Sequence, residues 1–345
     1  MNKPLIPVAL PKRELLKEGM KILAADVGGT KTHLALFEQQ DEQLSMVRDA
    51  IFPSAQYKSL EDIIVAFIDK NNTPQRLSIA FAGPVQDGRA KATNLDWQID
   101  SRQLQSRLGI SDVFIINDLE AEAYGLAVLK ADDLTAVYAP PAPEPGNVAI
   151  IAPGTGLGEA GMFWDGHVLH PFATEGGHTD FSPRSLTDWE FLLFLQKKYG
   201  HVSWERIISG PGIHQIYNFL RDDQGWEESQ WMKDNWKEHD RAAIISQGAQ
   251  RGSALCLEAL RLFVKYLAIE SADMALKFKA TGGLYIGGGI IPKIWNDELK
   301  AVFLEHFFEV GRLRYLLEAV PVNIVLNPKT PLLGAAYYAI GRFKD

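Results

Sequence analysis

Residues 23–37 read Leu-Ala-Ala-Asp-Val-Gly-Gly-Thr-Lys-Thr-His-Leu-Ala-Leu-Phe, which predicts a strand, a tight glycine turn and a second strand. The apolar run 22–27 has the length of a buried strand. After the turn, Leu34 and Leu36 with their polar neighbours fit the return strand. The segment therefore predicts a β-hairpin near the amino terminus.

The turn of this hairpin has the composition of a phosphate-binding loop. Gly28 and Gly29 are expected to supply positive φ values and to leave backbone N–H groups uncovered. Those amides and the Thr30 hydroxyl would face an anion, while the Asp26 carboxylate would face its Mg²⁺ through water. An ordinary hairpin can have the same local sequence, so the assignment depends on the remaining chain.

The composition is that of an ordinary globular protein, with 46% hydrophobic and 23% charged residues. A length of 345 residues exceeds the usual single core and predicts two domains. The formal net charge of -8 argues against a nucleic acid or an anionic membrane surface as the main partner. The single cysteine, Cys256, excludes an internal disulfide and a cysteine-based zinc knuckle, and its apolar surroundings predict a buried reduced thiol.

The first 20 residues are interpreted as an arm outside both domains. Pro4, Pro7 and Pro11 interrupt any signal-peptide core, and no apolar run in the chain reaches the roughly 18–20 residues of a membrane span. We expect a cytoplasmic protein whose arm is loosely ordered and ends in a short helix from Lys12 to Met20.

Strands and helices alternate along the chain, which predicts an α/β fold. A Pro-rich break at 139–146 is followed by a second strand, glycine turn and strand, at 148–152, 153–158 and 160–164. This repeated pattern predicts two related domains that face one cleft. Predicted helices span 59–70, 101–108, 119–130, 185–199 and 332–343, the segment 241–279 is expected to be helix-rich, and the tryptophan-bearing segment 222–240 is interpreted as a surface excursion.

Two nucleotide-binding motifs are excluded by their context. Gly156 to Gly161 match G-x-G-x-x-G, with Glu175 as a possible ribose-binding acid, but a strand and hairpin follow where a dinucleotide site requires a helix. Gly83 and Gly88 have the spacing of a Walker A loop, yet Arg-Ala follows instead of Lys-Ser or Lys-Thr.

Three glycine turns after apolar strands remain, together with three polar segments at 116–119, 174–180 and 201–206. Glycine turns suit a nucleotide polyphosphate, and the Asn, Asp, Glu and His side chains suit the hydroxyls of a polyol. Phosphoryl transfer to a hydroxyl needs positioning, charge neutralisation and one carboxylate that receives the proton.

Taken together, the motifs resemble those of the bacterial glucokinase family, within the hexokinase and actin-like ATPase superfamily. The resemblance runs from about residue 21 to the end of the chain. It rests on Asp26-Val-Gly-Gly-Thr, Thr93-Asn94, Ile116-Asn117-Asp118, Gly154-Thr-Gly-Leu-Gly158, Glu175-Gly-Gly-His178, Glu205-Arg-Ile-Ile-Ser-Gly-Pro-Gly212 and Gly287-Gly-Gly289.

The resemblance implies a fold and an activity. The fold would be two ribonuclease-H-like α/β domains, with mixed sheets flanked by helices and the active site in the interdomain cleft. The smaller domain would span 21–130 and about 326–345, and the larger 131–325. The activity would be ATP-dependent phosphorylation of glucose to glucose 6-phosphate, the first step of glycolysis, by a cytoplasmic homodimer.

For the sugar, the resemblance implies that Asp118 is the catalytic base and also contacts the substrate. The alternative is that Asp118 only caps the helix that follows. Further hydroxyl ligands would be Asn94, Asn117, Glu175, His178 and Glu205. His178 alone could be structural, and a zinc role for Glu175 with His178 is disfavoured because no third ligand has metal-like spacing.

For the nucleotide, the resemblance implies two phosphate loops, an adenosine loop and a magnesium site. The first phosphate loop would be Gly28, Gly29 and Thr30, and the second Gly154, Thr155 and Gly156. Gly287, Gly288 and Gly289 would lie beside the adenosine, and Asp26 would hold the Mg²⁺ of MgATP through water. Each glycine set is otherwise a plain turn.

One departure and two rival functions stay open. Lys31 is more usual in the repressor-and-kinase group of sugar kinases, but that group has a cysteine-rich zinc motif and this chain has no cysteine after His178 at that place. The rivals are a kinase for another hexose or amino-hexose, and a catalytically silent sugar sensor.

Overall fold

A computed structural model describes residues 6–40, 43–69, 73–91, 95–236 and 241–341. By contacts between residues the chain forms two compact units. The first unit comprises 1–134, 161–173 and 327–345, and the second comprises 135–160 and 174–326. The segment 161–173, which the sequence analysis assigns to the larger domain, therefore clusters with the first unit.

The first part of the chain contains strands β1 (Lys21–Val27), β2 (Lys31–Gln40), β3 (Gln43–Pro53), β4 (Arg76–Phe81), β5 (Val85–Gln86), β6 (Arg89–Lys91), β7 (Gln98–Asp100) and β8 (Asp112–Asn117). Its α-helices are α1 (Leu60–Phe67), α2 (Ser101–Leu108) and α3 (Asp118–Leu126).

The strands of the remaining chain are β9 (Leu134–Tyr138), β10 (Val148–Pro153), β11 (Leu157–Trp164), β12 (Leu169–Ala173), β13 (Gly283–Ile286) and β14 (Val322–Val325). Its α-helices are α4 (Leu186–Tyr199), α5 (Gly210–Asp222), α6 (Gln230–Asn235), α7 (Arg241–Gln250), α8 (Ala254–Phe278), α9 (Ile291–Ile294), α10 (Asp297–Phe307), α11 (Arg314–Leu317) and α12 (Thr330–Ile340).

The first sheet has the strand order β3-β2-β1-β4-β8. The hairpin predicted around residues 22–37 is confirmed, because β1 and β2 pair antiparallel with Ala25 opposite Leu34. Strands β1, β4 and β8 are parallel to one another, so their carboxyl ends lie at one edge of the sheet. Helix α1 packs its buried residues on this sheet, and Ser59 caps it by accepting the Asp62 N–H, as the sequence predicts.

The second large sheet has the order β12-β11-β10-β13-β14-β9, and a small third sheet has the order β5-β6-β7. Strands β10, β13 and β14 are parallel, so the carboxyl ends of β10 and β13 lie side by side. Order β12-β11-β10-β13-β14 repeats that of the first sheet, which confirms the predicted α/β fold with mixed sheets flanked by helices.

The core of the second unit is built around α8, whose 25 residues include fifteen that are buried. Cys256 lies in this core with no exposed surface and is a free thiol, as predicted. The segment 241–279 is helix-rich, as predicted, and forms α7 and α8. Gly252 between them has a φ of +82°, a left-handed conformation that interrupts a helix.

The predicted helix from Lys12 to Met20 is wrong, because none of these residues is helical and 17–20 form only a hydrogen-bonded turn. Val8 pairs with Leu169 of β12 through backbone hydrogen bonds, and the Arg13 guanidinium lies 3.8 Å from the centre of the Phe114 ring. These contacts occupy the backbone and side-chain groups of the arm more favourably than a short isolated helix would.

The tryptophan-bearing segment is also not a simple surface excursion. Within it α6 buries Met232 completely, and the Trp236 indole N–H donates to Glu228 at 2.7 Å. No helix among the described residues has the length and apolar character needed to cross a membrane.

Candidate functional site

In the first unit, the carboxyl ends of three parallel strands bring the predicted polar residues together. Asp26 lies near the end of β1, Gly83 follows β4, and Asn117 ends β8. Since β4 separates β1 from β8, Asp26 and Asn117 lie on strands about 10 Å apart. Asn94, predicted as a sugar ligand, lies outside the described residues.

Ser54 stabilises the first glycine turn through hydrogen bonds to the turn backbone. The Gly28 N–H donates to the Lys31 carbonyl at 3.0 Å, and the Ser54 hydroxyl donates to the Gly28 carbonyl at 3.0 Å. The Ser54 N–H also donates to the Thr30 carbonyl at 3.1 Å. At Gly28 the expected positive φ and free amide are therefore wrong. A Cβ at this position would lie 3.2 Å from the Lys31 oxygen, a tight contact that glycine avoids.

Asp26 lies opposite His33 in the register of β1 and β2. Burial raises the pKa of Asp26, and the nearby His33 and Lys31 partly offset that rise. His33 is itself fixed by a 2.7 Å contact with Asp49, which also accepts a hydrogen bond from Lys329 at 2.7 Å. The Asp26 carboxyl group thus lies beside His33 and Lys31, next to the glycine turn.

Asn117, and not Asp118, caps helix α3. Its Oδ1 accepts the N–H groups of Leu119 and Glu120 at 2.9 and 3.2 Å, and its Nδ2 donates to the Gly83 carbonyl at 3.2 Å. Asp118 is the first residue of the helix, and its Oδ1 accepts the Leu119 N–H at 3.0 Å. The capping alternative therefore applies chiefly to Asn117, whose position in turn fixes that of Asp118.

Glu122 is a carboxyl group that the sequence analysis missed. It lies one helical turn after Asp118 and is only 5% exposed. Burial, followed by the charges of Asp118 and Asp26, raises the pKa of Glu122 to about 8, so its acid form predominates at neutral pH. The i to i+4 spacing from Asp118 was the available signal.

In the second unit, two glycine loops meet at the ends of β10 and β13. The Gly287 N–H donates to the Ile151 carbonyl at 2.8 Å, and Gly288 lies so close to β10 that a Cβ would be 2.3 Å from the Pro153 oxygen. Gly288 also has a φ of +76°, which favours glycine. The Gly154 carbonyl accepts the Gly210 N–H at 2.9 Å, so the amino end of α5 contacts the glycine loop that follows β10.

Glu205 lies directly against the loop that contains Gly154, Thr155 and Gly156. Its Oε2 accepts the Leu157 N–H at 3.1 Å, and a Cβ on Gly156 would be 2.4 Å from that oxygen. A predicted sugar ligand is therefore fixed by a predicted phosphate loop.

Glu175 immediately precedes a short 3₁₀ turn, Gly176–His178, and its side chain comes within 4.0 Å of that of His178. Both side chains are more than half exposed, at 55% and 62%. The Trp204 N–H donates to the Thr179 carbonyl at 3.0 Å, which pairs this segment with the one that carries Glu205. The fold thus gathers three of the predicted sugar ligands.

A polar cavity of about 310 Å³ lies beside α5, with its first lining residue one helical turn beyond Gly210. Burial and the neighbouring Arg241 lower the pKa of His214 in this cavity to about 4, so its imidazole is neutral. The lining residues are His214, Asn218, Arg221, Trp236 and Arg241. Sequence reasoning did not find this cavity.

The described residues contain no cluster of three or more His, Cys, Asp or Glu side chains that could hold a metal ion. Mg²⁺ does not require one, since it keeps several waters and binds through one or two carboxylates plus phosphate oxygens. The Asp26 carboxyl group can supply one such ligand.

The comparisons with known proteins identify the family of this chain. The sequence profile of the family described as Glucokinase matches residues 23–341. A glucokinase of Nostoc punctiforme is 39% identical over 336 residues, which span 92% of this chain and 98% of that protein.

Solved structures show the same fold. A glucokinase from an Antarctic psychrotroph has a TM-score of 0.78 at 32% identity, with 92% of this chain and 98% of that one covered. A ROK family glucokinase from Streptomyces griseus, in complex with glucose and AMPPNP, has a TM-score of 0.62 at 20% identity, with 92% and 98% covered. Since the profile spans most of the sequence and the close relatives are covered almost completely, the chain belongs to the bacterial glucokinase family and has the actin-like ATPase fold.

Proposed function

We propose that this chain transfers the γ-phosphoryl group of ATP to the 6-hydroxyl of D-glucose, giving glucose 6-phosphate and ADP. The observation that carries the proposal is the position of Asp118 at the start of α3, at the same sheet edge as Asp26 and the first glycine turn. Membership of the glucokinase family supports the same reaction.

In the proposed step, the sugar oxygen attacks the γ-phosphorus as its proton passes to the Asp118 carboxylate. The new bond joins the sugar oxygen to phosphorus, and the bond from the γ-phosphorus to the bridging oxygen breaks, so ADP leaves with that electron pair. Asn117 contributes by fixing the start of α3, because its side chain caps the helix and also donates to Gly83.

Glu175, His178 and Glu205 are proposed to bind the sugar hydroxyls, with Asn94 and Asn117 as further ligands. Carboxylates accept hydrogen bonds from hydroxyls, and an imidazole can donate or accept, so the set suits a neutral polyol. The exposure of Glu175 and His178 leaves their polar atoms available to a ligand.

The nucleotide is proposed to lie along the glycine loops, with phosphates at 28–30 and 154–156 and adenosine at 287–289. Asp26 would hold Mg²⁺ through water, and the ion, when bound, would neutralise charge on the phosphate chain. The polar cavity beside α5 starts one turn from Gly210, which supports a role in contacting polar groups of the nucleotide. A homodimer and a cytoplasmic location are proposed from the family resemblance alone.

The first test is ADP formation from MgATP, with and without glucose, by the native chain and by Asp118→Asn. We expect glucose-dependent turnover that falls by about 10²–10⁴-fold in the variant, since it loses the proton acceptor. The matched control is Asp132→Asn, at an exposed aspartate away from the strand ends, which should keep native turnover. Turnover that survives in a folded Asp118→Asn protein would place the base elsewhere.

The two rival functions give different results in the same assay. A kinase for another hexose or amino-hexose would show a higher kcat/KM for that sugar in a panel that includes glucose. A silent sensor would bind glucose with negligible ADP formation in the native chain.

A further inference from the structure

Strand β11 supports the turn that presents Glu175 and His178. The backbone carbonyl of Glu159 accepts a hydrogen bond from the Thr174 hydroxyl at 2.9 Å, and the same hydroxyl oxygen accepts the Gly176 N–H at 3.2 Å. The Glu159 backbone therefore fixes Thr174, the residue before Glu175, and Thr174 in turn fixes Gly176, the residue after it.

The Glu159 side chain also lies against this turn. A Cβ on Gly176 would be 2.0 Å from Glu159 Oε2, and a Cβ on Gly177 would be 2.3 Å from the Leu157 carbonyl oxygen. Leu157 and Glu159 are two residues apart on one strand, so they present the same face to the turn. Gly177 is required because a Cβ there would meet the Leu157 backbone, while Gly176 leaves the space that the Glu159 carboxyl group occupies.

Glu159 is an unusual residue for such a supporting position. It is 4% exposed, and its Oε1 has no hydrogen-bond partner within the described part of the chain. Glu270 of α8 is fully buried, and its Oε2 likewise has no partner there. Burial, and next the charge of Glu270, raises the pKa of Glu159 to about 8, so an acid form faces the turn at neutral pH.

An apolar side chain would fill this space without the cost of burying a carboxyl group. We infer that Glu159 is a positioning residue of the sugar site, whose backbone and buried carboxyl group set the turn that aims Glu175 and His178 at the substrate. The inference rests on the proposed function, because it takes that turn to be a sugar-binding element.

The test compares glucose affinity and turnover for the native chain, Glu159→Ala, Glu159→Gln and Thr174→Val. We expect Glu159→Ala and Thr174→Val to raise the glucose Kd and KM by about tenfold or more, as lost support of a ligand commonly does. The KM for ATP should stay within about threefold, because the loss is confined to sugar binding. Glu159→Gln keeps a neutral hydrogen-bonding group of the same shape and should restore most of the affinity.

Asp188→Asn is the control for a purely structural effect. Asp188 is another buried acid of the second unit, 1% exposed, and it accepts hydrogen bonds from Lys265 and Tyr266 instead of contacting the glycines of the turn. The Asp188→Asn substitution should lower the melting temperature without changing the glucose Kd. If Thr174→Val and a folded Glu159→Ala keep the native Kd, or if all variants lose affinity only in proportion to stability, the positioning role is wrong.

Calorimetric Kd values keep this inference separate from the proposed reaction. A native chain that binds glucose but forms no ADP refutes the kinase function, while the variant Kd values still decide the positioning role. A native chain that binds no glucose overturns both.

Discussion

Asp118 and Glu122 have the same functional group on the same helix, yet their surroundings differ. Glu122 points into a buried environment and is 5% exposed, whereas Asp118 is partly exposed at the start of α3. A carboxyl group that is buried near two other carboxylates favours its acid form, because ionising it would add a third negative charge to a poorly solvated place. Because the charge of Asp118 acts on Glu122, the protonation of Glu122 belongs to the electrostatic environment of the proposed base.

This difference predicts how stability depends on pH. The pKa of Glu122 is about 8 in the folded chain and near 4.5 when unfolded, so the folded state binds more protons between these values. The contribution of this proton binding by Glu122 to the free energy of unfolding is fully present below about pH 4.5 and is lost as pH rises through about 8. Gln does not titrate. As pH rises between these values, the free energy of unfolding of Glu122→Gln should therefore increase relative to that of the native chain by on the order of 3 kcal/mol.

Urea unfolding of the native chain and Glu122→Gln at pH 5 and pH 8 measures this difference. Other buried acids, Glu159 and Glu270 among them, titrate equally in both proteins and cancel in the comparison. Two parallel pH profiles would show that Glu122 ionises in the folded state as readily as in the unfolded chain.

At the scale of elements, the contact of α12 with α3 is unusually close. A Cβ on Gly334 of α12 would lie 1.7 Å from the Ala121 carbonyl oxygen, and one on Gly125 of α3 would lie 2.2 Å from the Thr330 carbonyl oxygen. Glycines on both helices therefore allow the backbones to touch. Since α3 begins at Asp118, α12 supports the element that carries the proposed base.

Gly334→Ala should separate the two helices, because the obstructing atoms are backbone and cannot rotate away. We expect a loss of about 1–3 kcal/mol of unfolding free energy, as for overpacked cores. Turnover should fall more than glucose affinity if α3 shifts with Asp118. Thermal unfolding with steady-state kinetics measures both, and a variant with native melting temperature would contradict the close packing.

Elements with local signals were predictable from the sequence. The β1–β2 hairpin follows from an apolar run and a glycine turn, and α1 follows from its apolar spacing and the Ser59 cap. The conformation of the arm was not predictable, because Val8 pairs with Leu169 of β12, far away in the sequence. The break between α7 and α8 also has a local signal, a glycine followed by a serine at 252–253.

The site residues also divide into those with a local sequence signal and those that depend on the fold. Glycine loops and acids at strand ends can be predicted, because the motif itself places them after an apolar strand. Glu122 and Glu159 escape such reasoning, since their importance comes from burial against residues that only the fold brings near. The distance between Glu205 and the Gly156 loop likewise depends on a contact across 48 positions of sequence.

Considered as a whole, the first unit is assembled from distant parts of the chain, and Arg76 joins three of them. Its guanidinium donates to the carbonyls of Ala339 and Ile340 at 2.7 and 2.8 Å, and to the Glu14 carbonyl at 2.6 Å. It also lies 3.3 Å from Asp112 and is only 3% exposed. One side chain on β4 therefore fixes the arm and the end of α12 together.

Arg76→Met should loosen these two segments at once, because it leaves buried carbonyls without donors and removes the partner of Asp112. We expect a loss of about 3–5 kcal/mol of unfolding free energy, since breaking a buried charged interaction leaves unpaired groups behind. Arg107→Met is the matched control. Its pair with Glu61 at 2.9 Å is 63% exposed at the arginine, so its removal should cost at most about 1 kcal/mol.

Hydrogen exchange with mass spectrometry locates the effect within the chain. In Arg76→Met, amide protection should fall in residues 6–20 and in α12, while the buried amides of α8 in the second unit keep native protection. Loosening of α12 should then reach α3, because the two helices touch through Gly334 and Gly125. Loss of protection in α8 to the same extent, or in the arm without α12, would show that Arg76 does not tie these segments together.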